Sequence, residues 1–417
     1  MAPTLVRLLF TAILGAYYIL LLSSFTTTTV VDAHFTYKTQ RRLLPAFPLN
    51  PADPAPKTKA RPTGARLHQF KPCSAKATIP ILVNGRSYTS SDETSLYIVT
   101  HGASANPEDY FSYLYHIVGS NSILVAPGFY KDNDDVEPKT YYQADTNLVW
   151  QSGTNAYNRG DDAIGPKKGA SHAIGNHKCS SFDVYDALLD HFAKKKSFPH
   201  LKKVYFVGHS GGSGAISRYS QFFHNRHHFQ VRFVVANAAN QAYFTSARPE
   251  KKVCDSGTLW SYQLTKKKSS KKEGGGKGGM NRYTSARFSS ASKIFKTWIK
   301  RDIVTLIGDL DTNERYPDGT QNCQSQAQGG ENRRDRNYAW WTYINILAGR
   351  PSRVKNQYGY HQLIESGAKP YKKVKPSSFN HQNCIVEGVG HEPEKMFQSE
   401  CGLAALSKEK VPSKGKA

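Results

Sequence analysis

The stretch Val204-Tyr205-Phe206-Val207-Gly208-His209-Ser210-Gly211-Gly212-Ser213-Gly214 runs from an apolar, β-branched segment directly into glycines. Glycines after a strand can cradle a phosphate, or they can permit a tight turn that exposes one reactive side chain. A Walker loop needs G-x-x-x-x-G-K-[ST], and no lysine follows here. A dinucleotide fingerprint needs G-x-G-x-x-G, and Ser210 stands where its second glycine belongs. Gly208-x-Ser210-x-Gly212 instead fits the nucleophile elbow, where small neighbours let a serine sit at a strained strand-to-helix turn. Five residues alone are a weak signal. The flanking context, VYFV before and an amphipathic pattern of Ala215, Ile216, Tyr219, Phe222 and Phe223 after, strengthens it.

Working outward, short apolar runs alternate with helical patterns from about residue 80. Strands are expected at Ser95–Thr100, Ser122–Ala126, Lys203–Val207, Val231–Ala236, Asp302–Ile307 and Asn383–Val386, and a helix at Ser181–Ala193 behind a serine cap. Such alternation predicts an α/β fold with a mostly parallel central sheet flanked by helices on both faces. Reactive groups then collect at the carboxyl ends of the strands.

A serine hydroxyl needs a base, and the base needs an orienting carboxylate. Downstream of DIVTLI comes Gly308-Asp309-Leu310-Asp311, so Asp311 is the expected acid and Asp309 its alternative, with a turn-capping role for the one not used. After the last expected strand, Val386-Glu387-Gly388-Val389-Gly390-His391 supplies the histidine. Most of the other histidines, His381 among them, read as surface residues. The oxyanion would be held by the backbone N–H groups of Gly211 and of Ala103, in the His101-Gly102-Ala103 turn.

The segments VTHGASAN, VYFVGHSGGSG, GDLDT and VEGVGH resemble the oxyanion, elbow, acid and histidine motifs of the α/β-hydrolase superfamily, over roughly residues 75–400. The resemblance implies a Ser-Asp-His hydrolase with neither metal nor organic cofactor. VVANAANQAY (residues 234–243), after the elbow helix, is similar to an exported branch of that superfamily without a well-defined substrate. A carboxylic ester, small or polymeric, is the expected substrate, with a peptidase or amidase of the same fold as alternative.

The remainder of the chain sets the context. Arg7 precedes the apolar run LLFTAILGAYYILLLSSF, then a Thr-rich stretch and Ala33, so residues 1–33 read as a signal peptide or an uncleaved signal anchor. The protein is therefore expected to be secreted, or else anchored to a membrane. Residues 34–72, rich in Pro, Lys and Arg, read as a linker or pro-segment. The hydrolase domain is placed at 73–405 with a flexible insertion about 255–282, and 406–417 as a basic disordered tail. Six cysteines in an exported chain predict disulfides, with 15 possible connectivities.

Part of the net charge of 56 − 32 = +24 lies in the 266–277 tract and the tail. It leaves open contact with an anionic surface through these Lys-rich segments, and with it the alternative of an inactive hydrolase-fold binding protein. No nucleic-acid module accompanies the charge, so no specific nucleic acid is expected. A monomer is the working expectation.

Overall fold

The computed structural model describes residues 61–73, 77–84, 94–119, 122–132, 146–152, 156–165, 178–250, 262–264, 269–273, 276–278, 280–313, 322–407 and 409–417. All lie in the unit Leu43–Ala417. The expected signal segment and most of the expected linker lie outside them. Among the described residues no helix is long and apolar enough to cross a membrane.

Thirteen strands are described: β1 Ala65–Phe70, β2 Ile79–Asn84, β3 Thr94–Thr100, β4 Ser122–Pro127, β5 Tyr130–Lys131, β6 Val149–Trp150, β7 Leu201–His209, β8 Gln230–Ala236, β9 Ser269–Glu273, β10 Gly276–Gly278, β11 Asp302–Gly308, β12 His381–Glu387 and β13 Lys414–Lys416. Nine of them form one sheet in the order β1-β2-β4-β3-β7-β8-β11-β12-β13. From β4 to β13 every pairing is parallel, whereas β2 runs antiparallel to both β1 and β4.

Successive residues of the inner strands point to opposite faces, and both faces are covered. Val204 and Phe206 of β7 join one apolar cluster, and Tyr205 and Val207 join another. The first cluster lies beneath the helices Ser181–Phe192, Gly211–Phe222, Ala291–Trp298 and Arg333–Leu347. The second lies beneath Pro107–Tyr115, Pro393–Gln398 and Glu400–Ser407. Burial on both faces is why these strands read as unbroken apolar runs. The Ser181–Phe192 helix starts on a capping box: Ser180 Oγ accepts from Asp183 N, and the Asp183 carboxylate accepts from Ser180 N.

The sheet reaches beyond the limits expected from sequence. β1 falls inside the expected linker, with His68 and Phe70 turned inward by a period-2 alternation in a basic context. β13 falls inside the expected disordered tail. Its Gly415 fits against Cys401 Sγ, 2.9 Å from where a Cβ would stand, and its pairing with β12 uses backbone groups that need no apolar side chain. The expected flexible insertion contains the antiparallel pair β9/β10 and runs into a helix at Arg282–Arg287. His381, read as a surface residue, is instead buried, its Nε2 3.1 Å from the Trp298 carbonyl and its ring edge-on to the indole.

Disulfides join Cys73 to Cys179 and Cys384 to Cys401; Cys323 is also disulfide-bonded, and Cys254 lies outside the described residues. The second bridge closes a loop of 17 residues that carries His391.

Candidate active site

The strand order reverses at β3, with β4 on one side and β7 on the other. In an open parallel sheet such a reversal leaves a crevice at the carboxyl ends of the strands. Two of the expected motifs stand at this crevice, His101-Gly102-Ala103 after β3 and Ser210 after β7.

Ser210 has φ 57° and ψ −120°, a region that non-glycine residues avoid at a cost of about 1–3 kcal/mol. Its neighbours explain how the turn is sustained. A Cβ on Gly212 would stand 2.1 Å from the Thr100 carbonyl oxygen, and one on Gly208 would stand 2.5 Å from the Gly212 backbone. Only glycine lets the elbow close this tightly against β3 and its own helix. The serine itself is partly exposed, while residues 204–209 of β7 before it are buried.

The chain folds as an α/β-hydrolase. Sheet order, the antiparallel second strand and the elbow after β7 carry this assignment. No protein-family profile and no curated protein matches the chain. Among solved structures, LpqC, a poly(3-hydroxybutyrate) depolymerase from Bordetella parapertussis, is similar over 84% of this chain and 92% of its own, at 15% identity and TM-score 0.48. Poly(aspartic acid) hydrolase-1 from Sphingomonas sp. KT-1 is similar over 84% and 97%, at 16% identity and TM-score 0.47. The siderophore hydrolase EstB from Aspergillus nidulans covers 84% and 94%, at 9% identity and TM-score 0.37.

Within this fold, Gly211 opens the helix Gly211–Phe222, and a Cβ placed on it would lie 3.2 Å from Ala103 N. The two amides expected at the oxyanion therefore come from adjoining backbone. His101 fixes the second of them. The Phe129 N–H donates to His101 Nε2 (2.9 Å), so the proton must sit on Nδ1, which donates to the Gly102 carbonyl (2.8 Å). Ala105 N–H donates to the same carbonyl. With that C=O engaged, planarity turns the Ala103 N–H of the same peptide the opposite way. Burial holds the His101 pKa down at about 4, so this lock consists of a neutral imidazole. Tyr157 OH, 3.4 Å from the His101 carbonyl, packs beside Gly211.

Asp311 and His391 meet after β11 and β12. His391 Nδ1 lies 2.9 Å from Asp311 Oδ2; the carboxylate is fully buried and the imidazole 14% exposed. A buried arginine, Arg333, stands 3.7 Å from the other carboxylate oxygen. Asp309, the alternative acid, is engaged elsewhere: its Oδ1 accepts the Gly388 N–H (2.8 Å) and its carbonyl accepts from Arg334. It serves the turn that leads to the histidine loop.

The His391 ring packs on the imidazole of His209, the residue before Ser210, with centroids 4.5 Å apart. His209 is buried. Desolvation first, then the proximity of His391 and Arg333, pushes its pKa well below the ordinary imidazole value. It is therefore a neutral ring wedged between the elbow and the histidine loop.

Sequence reasoning missed His209, Arg333 and Asn237. Asn237 lies in the VVANAANQAY segment, whose polar residues tie the elbow helix to later segments. Asn240 accepts from Arg218 and donates to Ser325 Oγ, and Gln241 bonds Ser217 and Gln328. A run of amides inside an otherwise apolar strand end was the available signal. Among the described residues no group of three or more His, Cys, Asp or Glu is arranged to hold a metal ion.

Proposed function

We propose that the protein is a secreted serine hydrolase that cleaves carboxylic esters, with Ser210, His391 and Asp311 as its triad. The observation that carries the reading is the His391–Asp311 hydrogen bond, buried at the acid, with the His391 ring packed on His209, the residue before a strained serine.

Asp311 accepts a hydrogen bond from the His391 Nδ1–H, which holds the proton on Nδ1 and leaves the Nε2 lone pair as the base. His391 removes the Ser210 proton as Oγ attacks the ester carbonyl carbon, and the carbonyl π electrons move to oxygen. The Gly211 and Ala103 amides stabilise that oxyanion. As the tetrahedral intermediate collapses, the imidazolium returns its proton to the departing alkoxide, leaving an acyl-serine and an alcohol. Water then repeats the sequence with His391 again as base, releasing the carboxylic acid and restoring Ser210. Export is supported by the apolar N-terminal run and by the disulfides.

The test is labelling by a fluorophosphonate probe, together with turnover of p-nitrophenyl esters of increasing acyl length. Wild type should be labelled and Ser210→Ala should not. A folded wild type that resists the probe would sink the proposal. A preference for long acyl chains would point to a lipase, for short ones to another esterase.

A further inference from the structure

We infer that Asn237 is a positioning residue that sets the His391–Asp311 pair through a single carboxamide. This rests on the triad reading above. Asn237 follows β8, is buried, and adopts φ +47°, a left-handed conformation that asparagine tolerates better than most residues. Its Oδ1 accepts the Gly308 N–H at 2.8 Å, and its Nδ2 donates to the Gly390 carbonyl at 2.8 Å.

Gly308 ends β11, three residues before Asp311, and Gly390 directly precedes His391. One side chain thus spans the strand that delivers the acid and the loop that delivers the base. Both partners are backbone groups of fixed polarity, so the oxygen and nitrogen of the amide are assigned by them. No carboxylate, hydroxyl or apolar side chain can accept at the first and donate at the second while filling the same space.

The same Nδ2 lies 3.5 Å from His209 Nε2, whose ring packs on His391 and whose Nδ1 is 3.2 Å from Tyr110 OH. Displacement of Gly390 therefore moves the imidazole both through the chain and through His209. Misplacing a reacting group by about 1 Å can lower the rate on the order of 100-fold.

Of the titratable and charged groups around it, His209 from β7 touches the amide, His391 from the loop after β12 and Arg333 act on His209, Arg333 lies 3.7 Å from Asp311, and Tyr110 bonds the other nitrogen of His209. Asn237→Asp keeps the volume and the bond from Gly308 but loses the donor. Only a protonated carboxyl can again donate to the Gly390 carbonyl. Asn237→Gly keeps the left-handed backbone and loses both bonds.

The full chain and both variants would be assayed for kcat and KM on a p-nitrophenyl ester across pH, with fluorophosphonate labelling and thermal melting. For Asn237→Asp the expectation is a kcat lower on the order of 100-fold at neutral pH with KM little changed, and a pH optimum displaced towards acid. Asn237→Gly should show a comparable loss without the displacement. Variants that fold and keep the wild-type kcat and optimum, or that lose only melting temperature, overturn the inference. Failure of Ser210→Ala to abolish labelling would instead remove the triad reading, and this inference with it.

Discussion

Lowering the pH from 7 to 5 should destabilise this fold by an amount that three histidines make calculable. His101, His209 and His381 are buried and neutral, with pKa values of about 4 for His101, about 3 for His381, and well below the ordinary value for His209, burial being the leading cause in each. In the unfolded chain each imidazole titrates near 6.5. The unfolded state therefore takes up protons at pH 5 that the native state refuses. Stability is complete above the unfolded value, and falls as the pH drops towards the folded values. His101 and His381 each contribute about 2 kcal/mol to this loss between pH 7 and 5, about 4 kcal/mol together, and His209 adds to it in the same direction. That is a large share of a typical total of about 5–15 kcal/mol. Asp186, whose carboxyl is raised by burial against the pull of its Tyr219, Arg287 and Tyr283 partners, works in the opposite sense, because it gains its proton in the folded state first. The assay is guanidinium unfolding at both pH values and one ionic strength. The variant His381→Gln, which can still donate to the Trp298 carbonyl, should lose about 2 kcal/mol less than wild type over the same interval. A wild-type loss below about 1 kcal/mol, or an equal loss in the variant, would refute the reasoning.

Asp311→Asn should lower kcat by about 10⁴-fold, the effect of presenting the wrong tautomer to the base, whereas Asp309→Asn should leave kcat near wild type and lower the melting temperature; matched steady-state assays check both. Gly212→Ala forces a Cβ to within 2.1 Å of the Thr100 carbonyl oxygen, so the purified variant should either fail to fold or lose fluorophosphonate labelling. Replacing Cys384 and Cys401 together by serine opens a 17-residue loop, for which chain entropy gives a loss of about 3 kcal/mol in denaturant unfolding, accompanied by a lower kcat because that loop carries His391.

The inner strands β7, β8 and β11 were legible because burial on both faces writes an unbroken apolar run into the sequence. The elbow was legible because sterics allow so few residue types there. The edge strand β13 was not, since it attaches through backbone pairing and its lysines face solvent, nor was β1, whose inward His68 and Phe70 alternate within a basic segment. Choosing between Asp309 and Asp311 needs the course of the turn after β11: Asp311 N–H returns to the Gly308 carbonyl, while the Asp309 carboxylate reaches Gly388. His381 misled because a histidine at a strand start looks like a surface residue until its neighbour, the Trp298 carbonyl, is known. Asn237 and Arg333 act on residues far away in the chain, and no local pattern records such partners.

β13 bears on how the protein behaves among other chains. Without it, β12 would present a row of open amides and carbonyls to any passing chain, beside the loop that holds His391. With it, the sheet ends in three residues, Lys-Gly-Lys, whose lysine side chains are exposed and whose glycine is buried. A margin that short and that charged is a poor template for another strand. Part of the positive charge that invites thoughts of an anionic partner is thus placed to discourage one particular partner, a second copy adding edge to edge.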